Sequence, residues 1–454
     1  MRKKECKMSK ITEQFIEIAK KRNPGEPEFI QTVEEVMESI EPVLEKYPQY
    51  VTSGVVERLI EPERQIMFRV PWIDDNGKPQ VNRGYRVQFN SAIGPYKGGT
   101  RFHPTVNLGV IKFLAFEQIF KNALTPLPIG GGKGGSDFDP RGKSDNEVMR
   151  FCQSYITELY RHLGPDTDSP AGDMGVGARE IGYMFGQYKR LTGTYNCSIT
   201  GKGVGWGGSL ARTEATGYGI IYFADEMLKA NGASMKGITI AASGFGNVSW
   251  GTVSKATELG AKVITISGPD GYVHDPDGVS GEKIDYMNVL RASGQDIVAP
   301  YAEKFKSATF YPKEKPWGVK ADLVIPCATQ NEIHLEDAKK IVANGTKFVC
   351  EGANMPTTNE AIKYLLDNKI VLGPAKAANA AGVATSALEM AQNSMRYYWT
   401  FEEVDAKIKQ IMVDIFKACD SAAKEFGMEG NYLAGANIAG FLKVAKAMYD
   451  QGVV

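Results

Sequence analysis

The sequence predicts an α/β protein of two domains, an N-terminal α/β substrate domain followed by a Rossmann-like, doubly wound dinucleotide-binding domain. Three observations point there. The chain has 454 residues, more than the roughly 250–300 at which a single hydrophobic core stops growing. Its second half alternates short, near-continuous apolar runs with helical stretches, as parallel strands covered on both faces require. Between the first two runs stands Gly244-Phe245-Gly246, where a strand gives way to a helix.

The elements follow in order. Residues 28–47 place Phe29, Val33, Val36, Met37, Ile40 and Leu44 at helical spacing, so one face of that helix meets a core. Over 65–90 the period becomes two: Tyr85, Val87 and Phe89 alternate with Arg86 and Gln88, as in a strand. Helices return at 106–124 and 144–163, the second opening on Ser144 and Glu147 at capping-box spacing. Past residue 210, strands are expected at 238–242, 262–266, 321–325 and 346–349, with helices at 247–259, 282–293 and 335–344. In the tail, Ile438, Phe441, Leu442, Ala445 and Met448 share one helical face.

Composition excludes several classes. Lys and Arg number 53 and Asp and Glu 53, which argues against a basic nucleic-acid surface or an acidic tail. Hydrophobic residues at 43% and charged ones at 23% fit an ordinary soluble globular chain. No run is apolar for the ~18–20 residues of a membrane span. Met1 to Lys10 is basic without an apolar stretch after it, so no secretory signal is expected, and Met8 is an alternative start. The cysteines, Cys6, Cys152, Cys197, Cys327, Cys350 and Cys419, form no CxxC pair and read as cytoplasmic thiols. The four histidines are scattered, which argues against zinc. Asp166, Asp168 and Asp173 break the calcium-loop spacing at Pro170 and Ala171. No metal is expected.

Glycine is the departure: 29 of the 49 lie between Gly94 and Gly251, in three clusters of different meaning. Gly203, Gly205 and Gly208 follow a polar stretch and read as an interdomain loop. Gly244 and Gly246 follow a buried strand, open a helix, and have Ser249 in the third glycine's place. That is a βαβ dinucleotide site, with the pyrophosphate at the helix start. The second strand of this unit ends in Ser267-Gly268-Pro269-Asp270 rather than the usual acidic residue, with no basic residue nearby in sequence. This favours NAD and leaves NADP open. Gly130 to Gly135 surround Lys133 but lack the Ser or Thr of a P-loop. A solvated surface turn and a reactive lysine in a closing cleft both fit that run.

The strings NSAIGPYKGGTRFHP (90–104), GGGKGGSDFDPRGKSDNEVMRFCQ (130–153), PAGDMGVGAREIGYMFGQY (170–188) and EATGYG (214–219) resemble the hexameric glutamate dehydrogenase family. The resemblance covers almost the whole chain. It implies interconversion of L-glutamate, NAD(P)⁺ and water with 2-oxoglutarate, ammonium and NAD(P)H, in a homohexamer. It implies a substrate domain over 1–207, a Rossmann domain over 208–429, and a terminal helix within 430–454 returning to the first. By resemblance, Lys97 and Ser386 bind the substrate's side-chain carboxylate, and Gln118 and Lys121 the α-carboxylate. Lys133 matches the catalytic lysine and Asp173 the catalytic carboxylate. Gly172, Thr216, Asn247, Asn354 and Asn379 line the substrate or cofactor, and the loop brings Gly244, Gly246, Val248 and Ser267 to the dinucleotide. The SGPDG segment looks like that of NAD-preferring members. Thr100, Ile129 and Ser169 depart from the expected apolar residues, and Thr213 replaces a proline.

The residues suit this chemistry. Three lysines facing a substrate with two carboxylates leave one ammonium without a permanent anion. Burial and two cationic neighbours would depress its pKa, so Lys133 could activate water while Asp173 moves protons at the substrate nitrogen. Rival readings are a leucine, valine or phenylalanine dehydrogenase, and a silent nucleotide-binding subunit. Against the first, an apolar side chain would leave the Lys97 ammonium unmatched. Against the second stand Lys133 and Asp173 together. An RNA-binding role lacks a basic stripe with interleaved aromatics.

Overall fold

The computed structural model describes residues 10–454; the basic stretch before Lys10, with Met8 and Cys6, lies outside the described residues. The chain forms two compact units. The first takes the chain up to Leu210 together with Ser386–Thr400 and Asn437–Val454; the second is Ala211–Thr385 with Phe401–Ala436. Ser386–Thr400, expected in the dinucleotide domain, therefore groups with the first unit. Bonds across nearly two hundred residues hold it there: Gln392 Nε2 donates to Ser209 Oγ at 2.8 Å, and Asn393 Nδ2 to the Gly207 carbonyl at 2.7 Å.

The first unit is built on five strands, β1 (Arg64–Ile73), β2 (Pro79–Asn90), β3 (Tyr96–Phe102), β4 (Gly130–Ser136) and β5 (Asp168–Gly172), in the order β1-β2-β4-β3-β5. The strand-like stretch 65–90 is a hairpin, turned at Asp74–Lys78 with Gly77 at φ +77°. β3 runs parallel to both β4 and β5. The crossover from β3 to β4 is the helix Leu108–Leu124, capped by Asn107, whose side chain accepts from the Val110 amide at 3.0 Å. That helix is buried on nearly every side. The helix Asp145–Leu159 carries the expected capping box, both Ser144–Glu147 bonds being 3.1 Å, and tightens into a 3₁₀ turn over Tyr160–His162. Gly203–Gly208 is a loop with a 3₁₀ turn at Val204–Trp206.

The GGGKGG run is neither a turn nor solvated. All seven residues of β4 are buried, in the middle of the sheet. Glycine is a poor strand former, and its use here is close approach. A Cβ on Gly131 would stand 2.6 Å from Ile119 Cγ1, and one on Gly98 of β3 would stand 1.7 Å from the Gly132 carbonyl oxygen.

The second unit holds seven strands: β6 (Thr239–Ala242), β7 (Lys262–Gly268), β8 (Gly271–His274), β9 (Thr309–Pro312), β10 (Leu323–Ile325), β11 (Phe348–Cys350) and β12 (Val371–Gly373). Their order is β12-β11-β10-β6-β7-β8-β9, with β6 in the centre and parallel neighbours on both sides. This is the doubly wound arrangement whose binding crevice lies beyond the strand ends at the reversal of order, here β6 and β10. The expected all-parallel sheet acquires an antiparallel edge, β8 and β9. Its cause is the Gly-Pro-Asp-Gly sequence after β7: Gly268 pairs with Gly271, which takes φ +148°. The segment read as a ribose-binding strand end is a hairpin turn.

Candidate active site

In the first unit, Lys97 stands on β3 and Lys133 on β4, and Asp173 follows β5. Lys97 of β3 is fully buried; its Nζ donates to the Ser169 carbonyl at 2.6 Å and to Thr200 Oγ1 at 2.7 Å. Its backbone carbonyl accepts from Asn122 Nδ2 at 3.0 Å, and Asn122 Oδ1 accepts from Gln118 Nε2 at 2.7 Å. Gln118 is thereby tied to the strand carrying Lys97. Lys121 occupies the last turn of the same helix. Ser386 is buried in the helix Ala381–Met395.

Lys133 and Asp173 form a pair, Nζ to Oδ1 3.1 Å, with 5% and 13% of their side chains exposed. The other Asp173 oxygen accepts from Arg101 Nε at 2.7 Å. Lys133 thus has a permanent anion, contrary to the count of lysines against substrate carboxylates. Its pKa is lowered as expected, but by different neighbours. Burial is the largest cause; Asp173 opposes it, and Arg101 and Arg86 add to it. For Asp173, burial raises the pKa, yet Lys133 and Arg101 outweigh it and hold the group well below the usual carboxylate range. Gly99 makes room for the pair: a Cβ there would lie 2.8 Å from Asp173 Cβ and 3.3 Å from Lys133 Nζ. Gly172 similarly has the Val176 carbonyl oxygen 2.6 Å from its Cβ position.

Several groups escaped the sequence reading. Arg101 was findable, since Lys97, Gly99 and Arg101 fall on one face of a strand by period two. Arg86 and Asp168 were not. They form a fully buried ion pair in which Arg86 Nε donates to Asp168 Oδ2 at 2.8 Å and a second bond joins the same two groups. Gln88 adds 3.0 Å to that carboxylate, and Arg86 also reaches the Gly98 carbonyl at 3.2 Å. Ser169, a departure from the expected apolar residue, donates from Oγ to the Cys197 carbonyl at 3.0 Å.

The dinucleotide elements lie in the second unit. Gly244, at φ +80°, passes the end of β10 with its Cβ position 3.3 Å from the Cys327 carbonyl oxygen. Its amide donates to Ser267 Oγ at 2.8 Å, and its carbonyl accepts from Ser249 Oγ at 2.9 Å. Ser249 therefore ties the loop as well as keeping the third position small. Gly246 is exposed, has no neighbour within 4 Å of its Cβ position, and no side chain caps the helix Asn247–Glu258 that follows. An uncapped helix start behind a glycine loop suits a pyrophosphate. Val248 is half-buried on its second residue. Asn379 Nδ2 donates to Asn354 Oδ1 at 3.0 Å and to the Gly352 carbonyl at 3.2 Å. Among the described residues, Asn379 Oδ1 is buried with no hydrogen-bond partner, an acceptor suited to a ligand amide. Thr216 faces Gly382 across 2.6 Å to its Cβ position. These features fit a dinucleotide.

One further group bears on which dinucleotide. Asp270 accepts from the Val298 and Ala299 amides at 3.0 Å, at the start of the helix Ala299–Lys304. Its carboxylate is thus engaged by backbone. Arg291, far away in sequence, donates to Asn247 Oδ1. Arg291 therefore stands beside the start of the helix Asn247–Glu258.

Known proteins match along most of the chain. The Glutamate/Leucine/Phenylalanine/Valine dehydrogenase family matches residues 207–452, and its partner, the Glu/Leu/Phe/Val dehydrogenase dimerisation domain, residues 62–190. Over 95% of its length the chain is 59% identical to a protein of Bacteroides fragilis named NAD-specific glutamate dehydrogenase, of which it covers 97%. Over 98% of its length it is 55% identical to a protein of Haemophilus influenzae named NADP-specific glutamate dehydrogenase, covering 100% of it. A solved structure titled glutamate dehydrogenase superposes with a TM-score of 0.97 at 56% identity, over 98% of this chain and 100% of that one. With two family patterns and near full-length relatives in agreement, the chain belongs to the glutamate, leucine, phenylalanine and valine dehydrogenase family.

Proposed function

We propose that the protein catalyses the reversible oxidative deamination of L-glutamate to 2-oxoglutarate and ammonium, with NAD as hydride acceptor. The observation that carries this reading is the buried Lys133–Asp173 pair with Arg101 beside it. Lys97 and Ser386 take the substrate's side-chain carboxylate, and Gln118 and Lys121 its α-carboxylate. When bound, the nicotinamide supplies the hydride acceptor for the substrate Cα. In the second unit, Gly244, Gly246, Asn247, Val248 and Ser267 would hold the phosphate and ribose end, with Thr216, Asn354 and Asn379 along the rest of the dinucleotide; in the first unit, Gly172 would meet the substrate.

Lys133, its ammonium destabilised by burial, gives up a proton readily. As the neutral amine it takes a proton from the water that adds across the Cα=N bond left once the hydride has departed, the π electrons of that bond passing to nitrogen. As the ammonium it stabilises the oxygen of the resulting carbinolamine. Asp173 starts as an anion held by two cations and is then a weak base. While Lys133 is neutral, before water adds, one of those cations is gone, so Asp173 can take a proton from the substrate nitrogen; it returns that proton as ammonia leaves, when Lys133 is again an ammonium. The two titrate as a coupled pair.

NADP use is a second reading, favoured by the relatives named NADP-specific at 54–55% identity. Steady-state rates with NADH and with NADPH, each with 2-oxoglutarate and ammonium, test reaction and cofactor together. We place the protein in the cytoplasm as a homohexamer. The free cysteines Cys152, Cys197, Cys327, Cys350 and Cys419 are buried, and no described helix is long and apolar enough to cross a membrane. In favour of assembly, β1 is an edge strand, and this hairpin exposes Met67 at 64% and Val81 at 65%.

A further inference from the structure

Lys202 and Glu389 form an ion pair with neither side chain exposed, Nζ to Oε1 2.7 Å. No step of the reaction uses it. Such pairs are weak contributors to stability, because desolvation offsets the attraction and an apolar replacement of both partners is often neutral or better. Its bonds show where it acts. Glu389 accepts from the Gly201 amide at 2.9 Å and the Lys202 amide at 3.3 Å, and Lys202 Nζ reaches the Ile199 carbonyl at 2.7 Å and Cys197 Sγ at 3.2 Å. The pair therefore clamps the segment Cys197–Lys202 to the helix Ala381–Met395. That segment supplies Thr200, which accepts from Lys97 Nζ, and the Cys197 carbonyl, which accepts from Ser169 Oγ; the Ser169 carbonyl also accepts from Lys97 Nζ. Ser386 lies one turn before Glu389 on the clamped helix.

We infer that Lys202 and Glu389 are positioning residues for substrate side-chain selection: the clamp sets where the Lys97 ammonium points and where Ser386 stands relative to it. This rests on the reading that Lys97 binds the side-chain carboxylate. A role confined to stability would act on all substrates alike. The positioning role weakens glutamate specifically, because norvaline has the same carbon skeleton without the carboxylate.

The test compares Glu389→Gln, the double variant Lys202→Met with Glu389→Met, and Lys97→Met in the full-length protein, measuring kcat and KM for glutamate, norvaline and NAD⁺ alongside Tm. The expected result is a glutamate KM raised about tenfold or more in both clamp variants, with preference for glutamate over norvaline falling in proportion and the NAD⁺ KM unchanged. The double variant, free of an unpaired buried charge, recovers Tm without recovering that preference. A double variant with wild-type preference for glutamate overturns the inference, as does an equal loss on both amino acids. If Lys97→Met itself keeps the preference for glutamate, the carboxylate role of Lys97 fails and takes the inference with it; that outcome is distinguishable because it appears with the clamp intact.

Discussion

At Lys133 the balance of neighbours sets both charge and rate. Burial, Arg101 and Arg86 lower its pKa while Asp173 raises it, so activity that needs the neutral amine rises with pH below the ordinary lysine range. In Arg101→Met one of the lowering cations is gone, so the rising limb of kcat/KM moves to higher pH; a limb that stays in place contradicts this assignment. Lys133→Met loses the base outright, and kcat is expected to fall about a thousandfold with NADH binding, followed by fluorescence, unchanged. Asp173 lies below its ordinary value of 3.8, so its contribution to stability is complete above that pH and lost as acid protonates it. Asp173→Asn should flatten the acid limb of the unfolding profile, and an unaltered limb would show that the carboxylate is not held as described. The sequence named Lys133 and Asp173 and the lowered lysine pKa, but not the arginines that help set it. Arg86 contributes through the fold alone, from a strand on the other side of β4 from β3.

Among the elements, those with a period were legible and those without were not. The helix at 28–47 announced itself through its apolar face and is Pro27–Lys46; the capping box at Ser144 fixed a helix start to the residue. β4 has no side-chain pattern to read, since five of its seven residues are glycine. Only its neighbours reveal why: a Cβ on Gly130, Gly131 or Gly135 would stand 2.4–2.6 Å from the nearest atom, and one on Gly132 or Gly134 3.1 Å. Gly98→Ala would set a methyl 1.7 Å from the Gly132 carbonyl oxygen. We expect a loss of about 3 kcal/mol or more in urea unfolding, and a near-native midpoint would show that β3 and β4 can separate without cost. The antiparallel edge of the second sheet was hidden likewise, because SGPDG was read for its chemistry when its first task is a turn.

For the whole chain, sequence order and spatial grouping part company at Ser386–Thr400. Its bonds to Lys202, Gly207 and Ser209 span nearly two hundred residues, a separation that periodicity cannot register. The proposed assembly also lives at this scale. Lysines at Met67 and Val81 should shift sedimentation toward smaller species, and an unchanged species would remove the β1 hairpin from the contact. Under the proposed function, Lys97 governs substrate choice. It is tested most directly by reductive amination with NADH and ammonium, comparing 2-oxoglutarate with 4-methyl-2-oxopentanoate, the keto acid of leucine. A strong preference in kcat/KM for 2-oxoglutarate that collapses in Lys97→Met is expected; preference for the branched keto acid by the unaltered protein would overturn that role of Lys97.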